Sequence, residues 1–192
     1  MRMDTSASLS AEHVVNEYPE RELTRVISRY GEERFARRVA RAIVAARPIP
    51  NTTALAEVVR DAIPAATRRT GGHPARRTFQ AIRIEVNGEL SALERVLEDV
   101  EDILEPGGRV AILSYHSLED RMVKNAFNEL AKGCICPPDF PVCTCGAEAS
   151  VRILTRKPIR PPAEEIEANP RSSAAKLRAA ERLATGAEGG NA

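Results

Sequence analysis

The apolar stripe from Phe79 to Leu104 constrains this chain more than any other feature. Phe79, Ile82, Val86, Leu90, Leu93, Leu97, Val100 and Leu104 follow one another at gaps of 3, 4, 4, 3, 4, 3 and 4, the period of one helical face. The stripe predicts one long amphipathic helix or two in line. Its weak point is Asn87-Gly88, because glycine costs about 1 kcal/mol relative to alanine inside a helix. Leu104-Glu-Pro-Gly-Gly and the run Arg109-Val-Ala-Ile-Leu-Ser come next, and read as a turn feeding a buried parallel strand. Ser117-Leu-Glu-Asp then reads as an N-cap with an acid three residues on, opening a helix through Met122, Val123, Phe127 and Leu130. Helix, strand, helix is the rhythm of an α/β sheet.

Residues 10–63 carry about four shorter helical patterns. Ser10-Ala-Glu-His opens the first and Pro19 ends it. Glu20 to Tyr30 forms the second, with Gly31 placed just past its end. Glu32 to Arg47 forms the third, and Pro48 and Pro50 stop it. Asn51 or Thr52 caps the fourth. Each is too short to be stable alone, so they must pack on one another. Residues 64–77 (PAATRRTGGHPARR) lose all apolar periodicity and read as an exposed basic loop. Beyond the central helix, residues 133–150 are a Cys-Pro loop, Val151-Arg-Ile-Leu-Thr is a strand, and 163–168 is a helical turn. Ala175 to Leu183 is ambiguous: its residues favour helix, its position suits a last strand. The tail 184–192 is expected to be disordered.

The net charge is +1, so the arrangement of charge says more than its sum. Arg34, Arg37, Arg38 and Arg41 stand three and four residues apart, which destabilises an isolated helix slightly. A polyanion on that face would relieve the repulsion. With Arg68, Arg69, Arg76 and Arg77 they form a candidate RNA-phosphate surface; the competing reading is a solvated face neutralised by Glu32, Glu33 and neighbouring acids. Aromatic residues are 4% of the chain and Trp is absent, which argues against a base-stacking platform. No stretch approaches the roughly 18 apolar residues of a membrane span, and no apolar signal segment opens the chain. A cytoplasmic protein with no membrane partner is expected.

Two further groups carry candidate chemistry. Ser114, Tyr115 and His116 end the predicted strand, where open α/β sheets receive ligands. A Ser–His hydrolase is disfavoured by the lack of a G-x-S-x-G elbow. The bland alternative is that Ser117 caps the helix and His116 supports the loop. Cys134, Cys136, Cys143 and Cys145 lie in two C-x-C pairs and could converge on one structural Zn²⁺. Four reduced thiols, or disulfides, remain open beside that reading. No G-x-G-x-x-G and no P-loop occurs; the only glycine pairs are 71–72, 107–108 and 189–190.

Four segments together resemble a known family. They are Met1-Arg-Met-Asp, HPARRTFQAIRIEVNGEL from His73, GGRVAILSYHSLEDRMVK from Gly107, and CICPPDFPVCTCG through KPI to NPRSSAAKLR at 169–178. The chain over 1–183 resembles the C-terminal portion of the bacterial small-subunit (16S) rRNA cytosine-N4 methyltransferases. The resemblance implies an α/β fold: the later strands of an incomplete Rossmann-like class I methyltransferase sheet, in residues 73–183, plus a small all-helical inserted domain, in residues 1–72, expected to recognise rRNA. It implies transfer of a methyl group from S-adenosylmethionine (SAM) to the exocyclic N4 of a cytidine in the decoding region, with 16S rRNA or the small ribosomal subunit as partner. Ser114, Tyr115 and His116 would then border the pocket for the target base, and no residue here is assigned a certain catalytic role. The family's glycine-rich SAM loop has no matching positions, so the chain is expected to be a truncated form that neither binds SAM nor methylates alone. Upstream in-frame codons for a glycine-rich strand–turn–helix would point instead to a mis-assigned start. Residues 73–183 by themselves are expected to fold poorly. Where the family reads NPRSRSAKLR, Ser173 and Ala174 replace Arg and Ser, removing one charge from that loop. The rival reading is a non-catalytic RNA-binding module, zinc-stabilised through the Cys loop.

Overall fold

The computed structural model describes residues 1–67, 72–133, 136, 145 and 148–184. These residues pack as two compact units, Met1–Glu89 and Leu90–Ala192. The sequence pattern placed a boundary after residue 72; packing places it after Glu89.

The first unit is helical: α1 (Ala11–Asn16), α2 (Glu20–Gly31), α3 (Ala36–Ala45), α4 (Thr52–Ala62) and α5 (Arg76–Asn87). The expected caps form at two of these. Ser10 accepts from the His13 N–H, and Asn51 accepts from the Ala54 N–H. Two boundaries differ from the sequence reading. Gly31 is the last residue of α2 and Glu32 takes the left-handed conformation at φ 49°. Gly31 is needed for another reason: a Cβ there would lie 2.7 Å from the Arg77 carbonyl oxygen, so its absence lets α5 approach α2. The third helix starts at Ala36, four residues late, because the buried Glu33 carboxylate accepts from the Phe35 N–H at 2.9 Å and holds a turn ahead of it. The core of this unit is built from Leu23, Ile27, Val39, Ile43, Val59 and Ile82, each fully buried.

The long stripe is broken where glycine predicted weakness. Gly88 sits at φ 58° and ends α5. Arg83 clasps Glu89 across this turn with two bonds of 2.8 and 2.9 Å. The stripe continues as α6 (Glu89–Glu98) and α7 (Val100–Ile103).

The second unit contains β1 (Arg109–Ser114), α8 (Ser117–Leu130), β2 (Val151–Ile153), α9 (Ala163–Ala168) and β3 (Lys176–Arg182). The strands form one sheet of order β1-β3-β2. The ambiguous segment 175–183 is therefore a strand, and it lies between the other two. Both neighbours pair with β3 antiparallel, with Ile112 opposite Arg178 and Ile153 opposite Ala180. The expectation of a buried parallel strand at β1 is corrected on both counts. Its exposure alternates along the strand, because α8 covers one face and leaves Ala111 and Leu113 exposed. Val110, Ile112 and Ala180 face Val123 and Phe127 of α8 in a small core. No helix among the described residues is long and apolar enough to cross a membrane.

Candidate functional site

Two groups of polar side chains stand out, one in each unit. In the second, β1 ends at Ser114 and the chain turns into α8. Ser114 is 1% exposed, and its hydroxyl donates to the Lys176 carbonyl oxygen at 3.2 Å. Its side chain thus ties β1 to β3. Tyr115 is 54% exposed. His116, not Ser117, is the N-cap of α8: its Nδ1 accepts from the Glu119 N–H at 3.3 Å. Ser117 is the first helical residue. The cap shifts by one because Glu119, three residues after His116, closes the reciprocal half of the box. Its Oε2 accepts from the His116 N–H at 3.2 Å and from the Tyr115 N–H at 2.8 Å. The bland alternative for this loop thus has the right architecture with the roles of His116 and Ser117 exchanged.

The electrostatics of this turn lie in residues that the sequence reading passed over. Burial pushes the Glu119 carboxyl upward, but the His116 ring and the Tyr115 and His116 N–H groups hold it below its ordinary range. Asp120, one residue on, accepts from Arg178 Nε at 2.7 Å and from Lys176 Nζ at 3.0 Å. Burial again pushes upward, and the Arg178 and Lys176 bonds win, so its pKa is lowered. Arg178 is buried with its side chain 8% exposed. The signal for it was the alternation of β3: once that segment is a strand, Arg178 and Ala180 share the face that meets α8.

In the first unit the structure brings most of the predicted arginines to one region. Arg37, Arg38 and Arg41 lie exposed on α3, and the exposed Arg34 sits just before it, 5.6 Å over the Phe35 ring. Arg76 and Arg77 are exposed at the start of α5. Arg77 donates to the Glu32 carbonyl oxygen at 3.1 Å, which draws the start of α5 to the turn that carries Arg34. Arg41 lies 3.7 Å from Glu20. Among the described residues Arg37 and Arg38 form no ion pair. Glu33, expected to neutralise this face, is instead buried, and its carboxylate accepts from the Phe35 N–H ahead of α3. Arg68 and Arg69 lie outside the described residues.

Of the four cysteines, Cys136 and Cys145 are half-buried thiols, and Cys134 and Cys143 lie outside the described residues. A SAM cradle needs backbone that a ligand can approach where a Cβ would intrude. Gly72, Gly88 and Gly107 have positive φ and open space where a Cβ would lie. Gly31 serves helix packing, and Gly108 sits tight against Glu105 of its own turn.

Comparison with known proteins adds the family. A sequence profile of the MraW methylase family matches residues 1–183. The ribosomal RNA small subunit methyltransferase H of Symbiobacterium thermophilum is 56% identical over 191 residues, covering 98% of this chain and 60% of that protein. Its namesakes in Brevibacillus brevis and Heliobacterium mobile are each 54% identical over 186 residues, or 95% of this chain, and 59% and 60% of their own lengths are covered. The chain thus spans about three fifths of the length of the curated relatives it matches.

Proposed function

Because the chain belongs to the MraW methylase family, we propose that its residues serve SAM-dependent methylation of the exocyclic N4 of a cytidine in the decoding region of 16S rRNA. The observation that carries this reading is the match over 1–183 to a methylase family. Relatives named as small-subunit rRNA methyltransferases support the substrate class.

The division of labour follows the two units. The first, with its exposed arginines, grips rRNA phosphates. Proposed contacts are Arg34, Arg37, Arg38, Arg41, Arg76 and Arg77, with Arg68 and Arg69 added from the sequence. The second supplies the later strands of a Rossmann-like sheet. In support, β1 and β2 run parallel to each other about the antiparallel β3, with α8 crossing between them. The end of β1 borders the target base. Tyr115 is the residue there whose side chain is most available, since Ser114 is committed to β3 and His116 to the helix cap. A cytidine amine is a weak nucleophile because its lone pair is delocalised into the ring, so alignment of the amine dominates the chemistry. The base must also leave any stack to reach the pocket.

This reading assigns the methyl donor to a glycine-rich loop that has no matching positions in this chain. Isothermal titration of the 192-residue chain with SAM is expected to show no binding in the micromolar range; micromolar binding refutes that assignment. Disrupting the reading frame that contains these residues is expected to remove N4-methylcytidine from the small-subunit rRNA, read by mass spectrometry of its nucleosides. An unchanged N4-methylcytidine level sinks the methylation reading.

A second reading is an RNA-binding module without catalysis. It is favoured by one observation: the arginine face lies within a unit that has its own core. rRNA binding by the native chain with no transfer of labelled methyl groups selects this reading. Zinc bound through Cys134, Cys136, Cys143 and Cys145 belongs to it, and elemental analysis of the purified chain decides that point.

A further inference from the structure

A cleft opens on the α8 face of the second unit, beside the end of β2. It is lined by Lys124, Phe127 and Asn128 of α8, by Thr155 and Arg156 just after β2, and by Arg178 of β3. None of these residues belongs to the strand-end turn or to the arginine face of the first unit. Lys124, Phe127 and Asn128 fall at i, i+3 and i+4, so one helix face presents all three.

The charge of this cleft is not balanced. Arg178 is nine-tenths buried, lines the cleft and gives its Nε to Asp120. Asp120 is shared with Lys176. Lys124 and Arg156 are exposed and form no hydrogen bond or ion pair among the described residues. Thr155 anchors the wall, accepting from the Ala179 N–H at 2.8 Å. Phe127, 1% exposed, forms the floor and offers no face on which a base could stack. Three cations and an amide around an apolar floor suit a small tetrahedral oxyanion, not a nucleobase.

We propose that this cleft is a phosphate-binding site that holds a phosphodiester of the RNA strand, apart from the target nucleotide. The inference rests on the reading of RNA as the substrate. Two sources share the ligand chemistry, an RNA phosphodiester and free inorganic phosphate, and the position favours the first. The cleft flanks the end of β2, at the same end of the sheet as the turn after β1, where substrates enter open α/β sheets. A strand whose base is presented at β1 has neighbouring phosphates to place across that end.

The test uses the full chain with Lys124→Gln, Arg156→Gln and the double variant; all leave the Arg178–Asp120 pair intact. One arm measures anisotropy of a labelled small-subunit rRNA hairpin over a salt series. Each substitution is expected to lower the slope of log affinity against log salt by about one. The other arm follows the arginine Nε–H resonances on addition of inorganic phosphate. The Arg178 resonance is expected to shift in the native chain and not in the double variant. If the native chain binds the hairpin and the double variant binds it with unchanged slope, the site is wrong while the RNA reading stands. A phosphate-induced shift beside an unchanged slope overturns the RNA occupant and leaves a free-anion site. A native chain that does not bind the hairpin overturns the RNA reading itself, and this occupant with it.

Discussion

The two units bury their apolar residues to different degrees. Among the described residues, the core of the helical unit holds sixteen buried residues and that of the sheet unit five. Of the eight large apolar residues left exposed among the described residues, six lie in the sheet unit: Val96, Ile103, Leu113, Tyr115, Leu154 and Ile159. Leu113, Leu177 and Ile159 are paired across adjacent strands, so they share the sheet face that α8 does not cover. Amphipathic helices can cover one another with short connections. A sheet has two faces and two edges, and one crossing helix covers only part of them. The helical unit is therefore the self-sufficient part, and the sheet unit relies on a few strong contacts.

The largest expected effect tests that reliance. Phe127→Ala should cost about 3–5 kcal/mol and Ile43→Ala about 2–5 kcal/mol, but with different consequences. Amide hydrogen exchange should show Phe127→Ala abolishing protection in β1 and β3 while α2 and α3 stay protected. Equal loss in both units breaks the comparison. A loss of similar size is expected from Asp120→Ala, about 3–5 kcal/mol, because it leaves the buried Arg178 guanidinium without its partner. Acidification should act in the same direction. Asp120 and Glu119 both have folded pKa values below their ordinary ones, so their stabilisation is complete above about pH 5. It is lost as pH falls through the lowered folded values. Exchange protection in the sheet unit should decline below about pH 5, and in Asp120→Asn that decline should be smaller.

Gly31→Ala probes the helical unit where its packing is closest. The new Cβ would sit 2.7 Å from a backbone oxygen of α5, and overpacking of this kind costs about 1–3 kcal/mol. A thermal midpoint equal to that of the native chain would show that α2 and α5 can separate freely. The smallest effect separates cap from chemistry at His116. Loss of an N-cap costs about 1 kcal/mol, so His116→Ala should destabilise α8, whereas His116→Asn should keep the cap. In a complete relative carrying the same turn, methylation that survives His116→Asn assigns His116 to the cap alone. Loss of methylation at native stability assigns it to the pocket.

Much of the helical unit was legible beforehand. The spacing of Leu23, Val26 and Ile27, the caps at Ser10 and Asn51, and the glycine break at residue 88 follow from local rules. The start of α3 was not legible, because Glu33 turned inward to hold the Phe35 N–H in a turn ahead of it. In the candidate site the position of Ser114-Tyr115-His116 at the end of β1 was readable, but the assignment of roles was not. His116 and Ser117 are both competent to cap, and Glu119 decides between them through bonds to two backbone N–H groups. Arg178 and Asp120 stand 58 residues apart, beyond the reach of any periodicity argument.

The sequence by itself determined where apolar faces recur, where the chain must turn, and to which family its long motifs belong, because those properties reside in neighbouring residues. Only the tertiary structure decided that 176–182 is a central antiparallel strand, that Gly31 serves packing and not a turn, and that Lys124, Arg156 and Arg178 meet around one cleft. Helix-favouring residues become a strand when two partners offer hydrogen bonds on both sides, and that choice depends on segments distant in the chain.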